Sequence, residues 1–162
     1  MEIHIAQPHD SAVLAAIIRR ATAPVARRFG LTRKTAPKHP SNCTAAWIRA
    51  DVYRGVVYFV AMEGADPLGC IGFERAPGGV CYMERLAVSP SHQHRGIGAA
   101  LVARFMAHAA QEGMTAVSIG VIAEHEELRR WYENRGFTLT ETKVYDHLPF
   151  TVAFMRRPLG DD

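Results

Sequence analysis

Leu86-Ala-Val-Ser-Pro-Ser-His-Gln-His-Arg-Gly-Ile-Gly-Ala-Ala-Leu101 joins an apolar run to a proline-containing loop, a basic turn with two glycines, and the start of an apolar-periodic helix. That order aims unpaired backbone N–H groups and a helix N-terminus at one point, where the helix dipole favours negative charge. Gly96 and Gly98 let the backbone approach a ligand closely or take positive φ, and His94 and Arg95 add donors. The expected guest is a phosphate or pyrophosphate. Two common phosphate loops fit poorly. A dinucleotide fold would place a third glycine where Leu101 stands, and a nucleotide P-loop would place Lys-Ser/Thr where Ala99-Ala100 stand. A surface turn that merely starts a helix is the alternative reading of these residues.

Working outward, three strands precede the loop. Val56–Glu63, Leu68–Arg75 and Val80–Val88 are separated by Gly64-Ala-Asp-Pro67 and Pro77-Gly78-Gly79. After the loop, Ile97, Leu101, Phe105 and Ala109 form an i, i+4 stripe stopped by Gly113. Thr115–Val121 reads as a short buried strand and Glu124–Arg135 as a helix ended by Gly136. Phe137–Tyr145 and Phe150–Arg156 read as an antiparallel pair around Asp146-His-Leu-Pro149. Near the N-terminus, Glu2–Ala6 alternates as a strand, and Val13, Leu14, Ile17 and Ile18 follow at helical spacing. Pro24 is expected to start a second turn or helix closed by Gly30. Ser41 is expected to cap a helix reaching about Arg54. The order predicts an α/β (α+β) fold: helices flanking a mixed, mostly antiparallel central sheet of about seven strands.

The chain of 162 residues is expected to form one domain over 1–162, with 48% hydrophobic and 22% charged residues. A chain of this size buries roughly two-thirds of its unfolded surface without staples. No apolar run approaches the ~20 residues that span a bilayer. The N-terminus lacks the basic-then-apolar pattern of a signal peptide. Cys43, Cys70 and Cys81 are odd in number and lack metal-ligand spacing, which predicts buried thiols, a cytoplasmic protein and no metal. A net charge of +3 suits an anionic ligand. It does not argue for nucleic acid or membrane partners, which show concentrated basic stripes.

Gln93-His-Arg-Gly-Ile-Gly98 resembles the Q/R-x-x-G-x-G/A signature of the GNAT superfamily of N-acetyltransferases. Met83-Glu-Arg-Leu-Ala-Val88 resembles that family's fourth strand, and Leu128-Arg-Arg-Trp-Tyr-Glu-Asn-Arg-Gly-Phe137 its closing helix and strand. The resemblance covers roughly residues 56–155. It implies transfer of an acetyl group from acetyl-CoA to a primary amine of a small molecule or an exposed protein. Attack is direct, with no acyl-enzyme.

The resemblance also implies roles. Backbone groups of Leu86, Ala87 and Val88 lie along the pantetheine arm, and Val88 N–H polarises the acetyl carbonyl. His94, Arg95, Gly96, Ile97, Gly98 and Ala99 surround the pyrophosphate. Tyr132 is the general acid for the leaving thiolate; spacing alone reads it as a core aromatic. Glu84 is the base candidate. It interrupts an apolar strand, and strict alternation places it on one face with Tyr82, Leu86 and Val88. A carboxylate there must meet solvent, a substrate or an Arg partner.

Two residues depart from the pattern. His125 stands where many members have an Asn that contacts the cofactor, and Gly120 stands where members acting on ribosomal N-termini often carry Glu. Tyr82, His39 and His147 are the candidate acceptor contacts. His39 and His147 sit in segments that would flank the acceptor cleft. A non-catalytic acyl-CoA-binding sensor and a transferase of longer acyl chains are the competing readings. The acceptor and the oligomeric state, a homodimer included, are left open.

Overall fold

The computed structural model describes residues 1–160. Seven strands form one sheet in the order β1-β2-β3-β4-β5-β7-β6. They are β1 (Glu2–Ile5), β2 (Val57–Glu63), β3 (Asp66–Arg75), β4 (Val80–Val88), β5 (Ala116–Ile122), β6 (Thr138–Val144) and β7 (Thr151–Pro158). Four helices accompany them: α1 (Ser11–Arg28), α2 (Ala45–Tyr53), α3 (Ile97–Gln111) and α4 (Glu126–Glu133). Among the described residues only β4 and β5 run parallel.

The period-2 alternation of the central strands sorts the core into two layers. Phe59, Ile71, Phe73, Cys81 and Val117 meet the Ile97/Leu101/Phe105/Ala109 stripe of α3 and Tyr132 of α4 on one face. Tyr58, Val60, Cys70 and Ala87 meet Leu14, Ile17 and Ile18 of α1 and Ile48 of α2 on the other. Because both faces are covered, Tyr58–Ala61 reads as a continuous buried run rather than an alternating one. Each large side chain buried this way contributes roughly 1.5–3 kcal/mol. All three cysteines are buried free thiols. Among the described residues no helix is long and apolar enough to cross a membrane.

Three local expectations change. Pro24 does not start a new helix: α1 runs unbroken through it to Arg28. The proline forfeits one backbone bond a turn before the helix end, Thr22 Oγ1 donates to Ile18 O at 2.6 Å in the turn before it, and burial of Leu14, Ile17, Ile18 and Ala26 holds the helix together. Ser41 does not cap α2. It lies in a short turn of three-residue helix at Pro40–Asn42, and Thr44 is the cap, its hydroxyl accepting from Trp47 N–H at 3.3 Å. The third change concerns β4. Gly72 pairs with Glu84 but Cys70 pairs with Ala87, so β4 carries an extra residue. Arg85 occupies it at φ +52°. This bulge reverses the alternation. Glu84 stays with Tyr82 on the α1/α2 face, while Leu86 and Val88 turn to the α3 face.

Candidate active site

The parallel β4–β5 pairing covers only Val80–Tyr82 against Ala116–Ser118. Beyond the bulge the two strands diverge and their facing backbone groups lose ladder partners. A cleft of about 580 Å³ opens there, walled by Leu86 of β4, Ile119 and Val121 of β5, and His125, Leu128 and Tyr132 at α4. Its other walls come from the α1–α2 loop, which brings His39, and the β6–β7 loop, which brings His147 and Phe150. Six residues singled out from sequence therefore line one cavity: Leu86, His125, Tyr132, His39, His147 and Gly120.

The glycine loop lies at the far end of β4. His94 at φ +63° and Gly96 at φ +80° bend the backbone sharply before α3. Such alternation turns successive N–H groups toward one concavity, and the first N–H groups of α3 add to it. The first turn of α3 carries no acidic residue. Gly96 is the residue before α3 and Ile97 is buried beneath it; His94, Arg95 and Ala99 are exposed. At Gly98 a Cβ would lie 3.5 Å from the Trp131 ring and 3.7 Å from Val88, in ordinary contact with both.

Tyr132 is buried, with its ring edge-on to Trp131 and Phe137. Burial pushes its phenol well above the usual tyrosine range, so the hydroxyl is protonated at every physiological pH. His125 Nδ1 is buried with no hydrogen-bond partner, and burial lowers the imidazole pKa. An unpartnered buried nitrogen in a cleft wall is costly unless a ligand satisfies it. Its Nε2 lies 3.4 Å from Glu127, which also bonds Arg28. His39 Nδ1 accepts from Ser41 N–H at 3.2 Å. The neutral ring therefore carries its proton on Nε2, and burial keeps it neutral. His147 is exposed and rests against Tyr145.

Glu84 does not line this cleft. With Tyr82, Arg54, Ser118 and Phe154 it lines a second cavity of about 530 Å³, which shares Met83, Arg85, Ile119 and Gly120 with the first. Burial, hydrogen bonding with Glu74 and repulsion from that carboxylate push the Glu84 pKa up to about 8. Glu74 moves the other way, held ionised by its bond with Glu84 and by Arg54 at 2.9 Å. Arg54 also approaches Glu84 at 4.0 Å.

The group that fixes the bulge was not among the residues singled out from the sequence. Asp51 of α2 is buried and bonds Arg85 Nη1, Arg54 and the Tyr58 hydroxyl, the last at 2.6 Å. Arg85 Nη1 also donates to the Tyr58 oxygen at 2.9 Å. The available signal was weak: an aspartate on the apolar side of a helix, one turn after Trp47 and Ile48.

The divergent strands, the anion-seeking loop and the unpartnered His125 nitrogen fit a long, anionic, amide-bearing ligand. The chain belongs to the acetyltransferase (GNAT) family, whose profile matches residues 29–137. It is accordingly an acyltransferase with acetyl-CoA as cosubstrate. Solved structures share the fold across nearly the whole chain. The ribosomal-protein-S18-alanine N-acetyltransferase of Escherichia coli aligns with a TM-score of 0.79 at 14% identity, over 99% of this chain and 95% of that one. The PaiA N-acetyltransferase of Thermoplasma acidophilum, solved with coenzyme A, aligns at 0.77 and 15% identity over 98% and 99%. YncA of Salmonella typhimurium, solved with its cofactor acetyl-CoA, aligns at 0.73 and 23% identity over 100% and 95%. No curated protein sequence matches significantly.

Proposed function

We propose that this protein moves an acetyl group from acetyl-CoA to a primary amine by direct attack. The observation that carries this reading is a protonated, buried tyrosine, Tyr132, in the wall of a cleft where β4 has lost its neighbour. Direct attack needs no cysteine thiol to take up the acetyl group, and among the described residues around the cleft there is none.

Acetyl-CoA supplies an acetyl thioester. In this reading the backbone of Leu86, Ala87 and Val88 holds the pantetheine arm, and His125 Nδ1–H or its acceptor form meets one of its amides. His94 through Ala99 hold the pyrophosphate. Val88 N–H donates to the thioester oxygen as negative charge develops there. Glu84 takes the first proton from the acceptor ammonium through water, since it lies in the adjoining cavity. The neutral nitrogen then attacks, the C–S bond breaks, and Tyr132 gives its proton to the departing sulfur. The second ammonium proton restores Tyr132, so an amide, free thiol and one released proton balance the reaction. His39 Nε2–H is a donor and serves as an acceptor contact rather than the base; His147 and Tyr82 line the approaches.

The test is thiol release from acetyl-CoA over a panel of amines with native protein and Tyr132→Phe. Turnover that requires an amine and falls roughly 10²–10⁴-fold in the variant, with acetyl-CoA affinity retained, fits general-acid catalysis. Acetyl-CoA binding without turnover for any amine would favour a non-catalytic binding module.

A further inference from the structure

We propose that the acceptor is a small amine that also carries a carboxylate and an apolar body, the chemistry of a free apolar amino acid. This rests on the amine-acetylation reading above and narrows it. The carrying observation is the sign of the cleft. Among the described residues that line it there is no Asp or Glu, while Lys38, Arg85 (paired from behind with Asp51) and the imidazoles of His39, His125 and His147 do line it. The glycine loop is not part of that lining, so the positive character is not explained by the cofactor's phosphates.

Arg85 supplies the specific contact. All of its hydrogen bonds among the described residues run through Nη1, to Asp51 and Tyr58. Nη2 and Nε remain without a hydrogen-bond partner among the described residues, two donor atoms on a fork that the Asp51 bond and the Trp47 ring, 5.5 Å from Cζ, hold in place. A pre-oriented guanidinium edge matches a carboxylate. The rest of the cleft is apolar, with Val25, Ile119, Ile122 and Phe150 in its walls, and it suits an aliphatic or aromatic side chain. A polyamine or lysine-like cation finds no free negative charge. Glu74 is held by Arg54, and Glu84 stays largely protonated below about pH 8.

The experiment measures kcat/KM by thiol release for L-leucine, L-methionine and L-phenylalanine. Each is compared with its amide and its decarboxylated amine, and putrescine and a tripeptide amide are included. The carboxylate form should exceed its two analogues by about 10–100-fold, as expected for a charge-assisted pair. Amides, decarboxylated amines, putrescine or the peptide turning over as well as the acids would overturn the proposal. Should no amine be turned over, calorimetry of the same compounds against the CoA-loaded protein decides. Tighter binding of the acids upholds the acceptor class while the catalytic reading fails; equal binding, or none, overturns it. Arg85→Lys, checked for fold by circular dichroism, should raise KM for the acid about 10-fold or more and leave that of the amide unchanged. An equal change for both would mean that Arg85 only supports β4.

Discussion

Tyr132 and Glu84 are both shifted toward their protonated forms, with opposite consequences. A general acid is useful when protonated, so Tyr132 should contribute a pH-independent term, and Tyr132→Phe should lower kcat without moving the pH profile. A base is useful when ionised. With its pKa near 8, Glu84 should make kcat/KM climb as pH rises through about 8, and in Glu84→Gln that limb should move toward the amine's own pKa with a loss of about 10²-fold. His39→Ala should leave the limb in place. The same shift has a stability consequence. A carboxyl whose folded pKa lies above its unfolded value stabilises the fold at low pH and ceases to do so as pH rises through the folded value. The melting temperature of Glu84→Gln should therefore gain on the native protein between pH 5 and 9; a constant difference would place Glu84 in an ordinary solvated setting. At this scale the burial of Tyr132 was legible from spacing, while the role proposed for it rests on its motif. The face of Glu84 was misread because Arg85, a residue without glycine's freedom, takes positive φ and nothing in the sequence marks that bulge.

Beside β5 and α4, which wall the cleft with β4, the site depends on α2 through the bulge and on α3 through the glycine loop. Asp51 ties α2 to the bulge, and its removal would leave Arg85 half-buried without its anionic partner. Asp51→Ala should cost about 3 kcal/mol in denaturant unfolding, whereas Thr44→Ala, which removes only the α2 cap, should cost about 1 kcal/mol. Similar losses for the two would deny the Asp51 network its role. At α3, Gly98→Asp should abolish the rise in melting temperature that acetyl-CoA gives the native protein, because it puts a negative charge in the first turn of α3, where the phosphates are assigned; an unchanged rise would sink that assignment. Strand and helix identities followed from periodicity and turn residues. The α1 and α2 boundaries did not, because burial of six residues along the 18-residue α1 outweighs one proline, and because Ser41 and Thr44 are both competent caps and only the path of the loop chooses between them.

For the whole molecule, the element order and the two-layer sheet were readable from the chain, since hydrophobic periodicity determines which faces need cover. The splay of β4 from β5 was not, because it depends on pairing that stops after three residues on each strand. That splay is the central feature: it leaves β4 backbone without a neighbour beside a cleft that the α1–α2 and β6–β7 loops also line, and the proposed reaction has both substrates meet there. Initial velocities with acetyl-CoA and the best acceptor amine varied together test this most directly. Direct transfer within one ternary complex predicts intersecting double-reciprocal lines and no labelled acetyl group retained on the protein. Parallel lines, with acetyl label carried by the protein in the absence of amine, would contradict it.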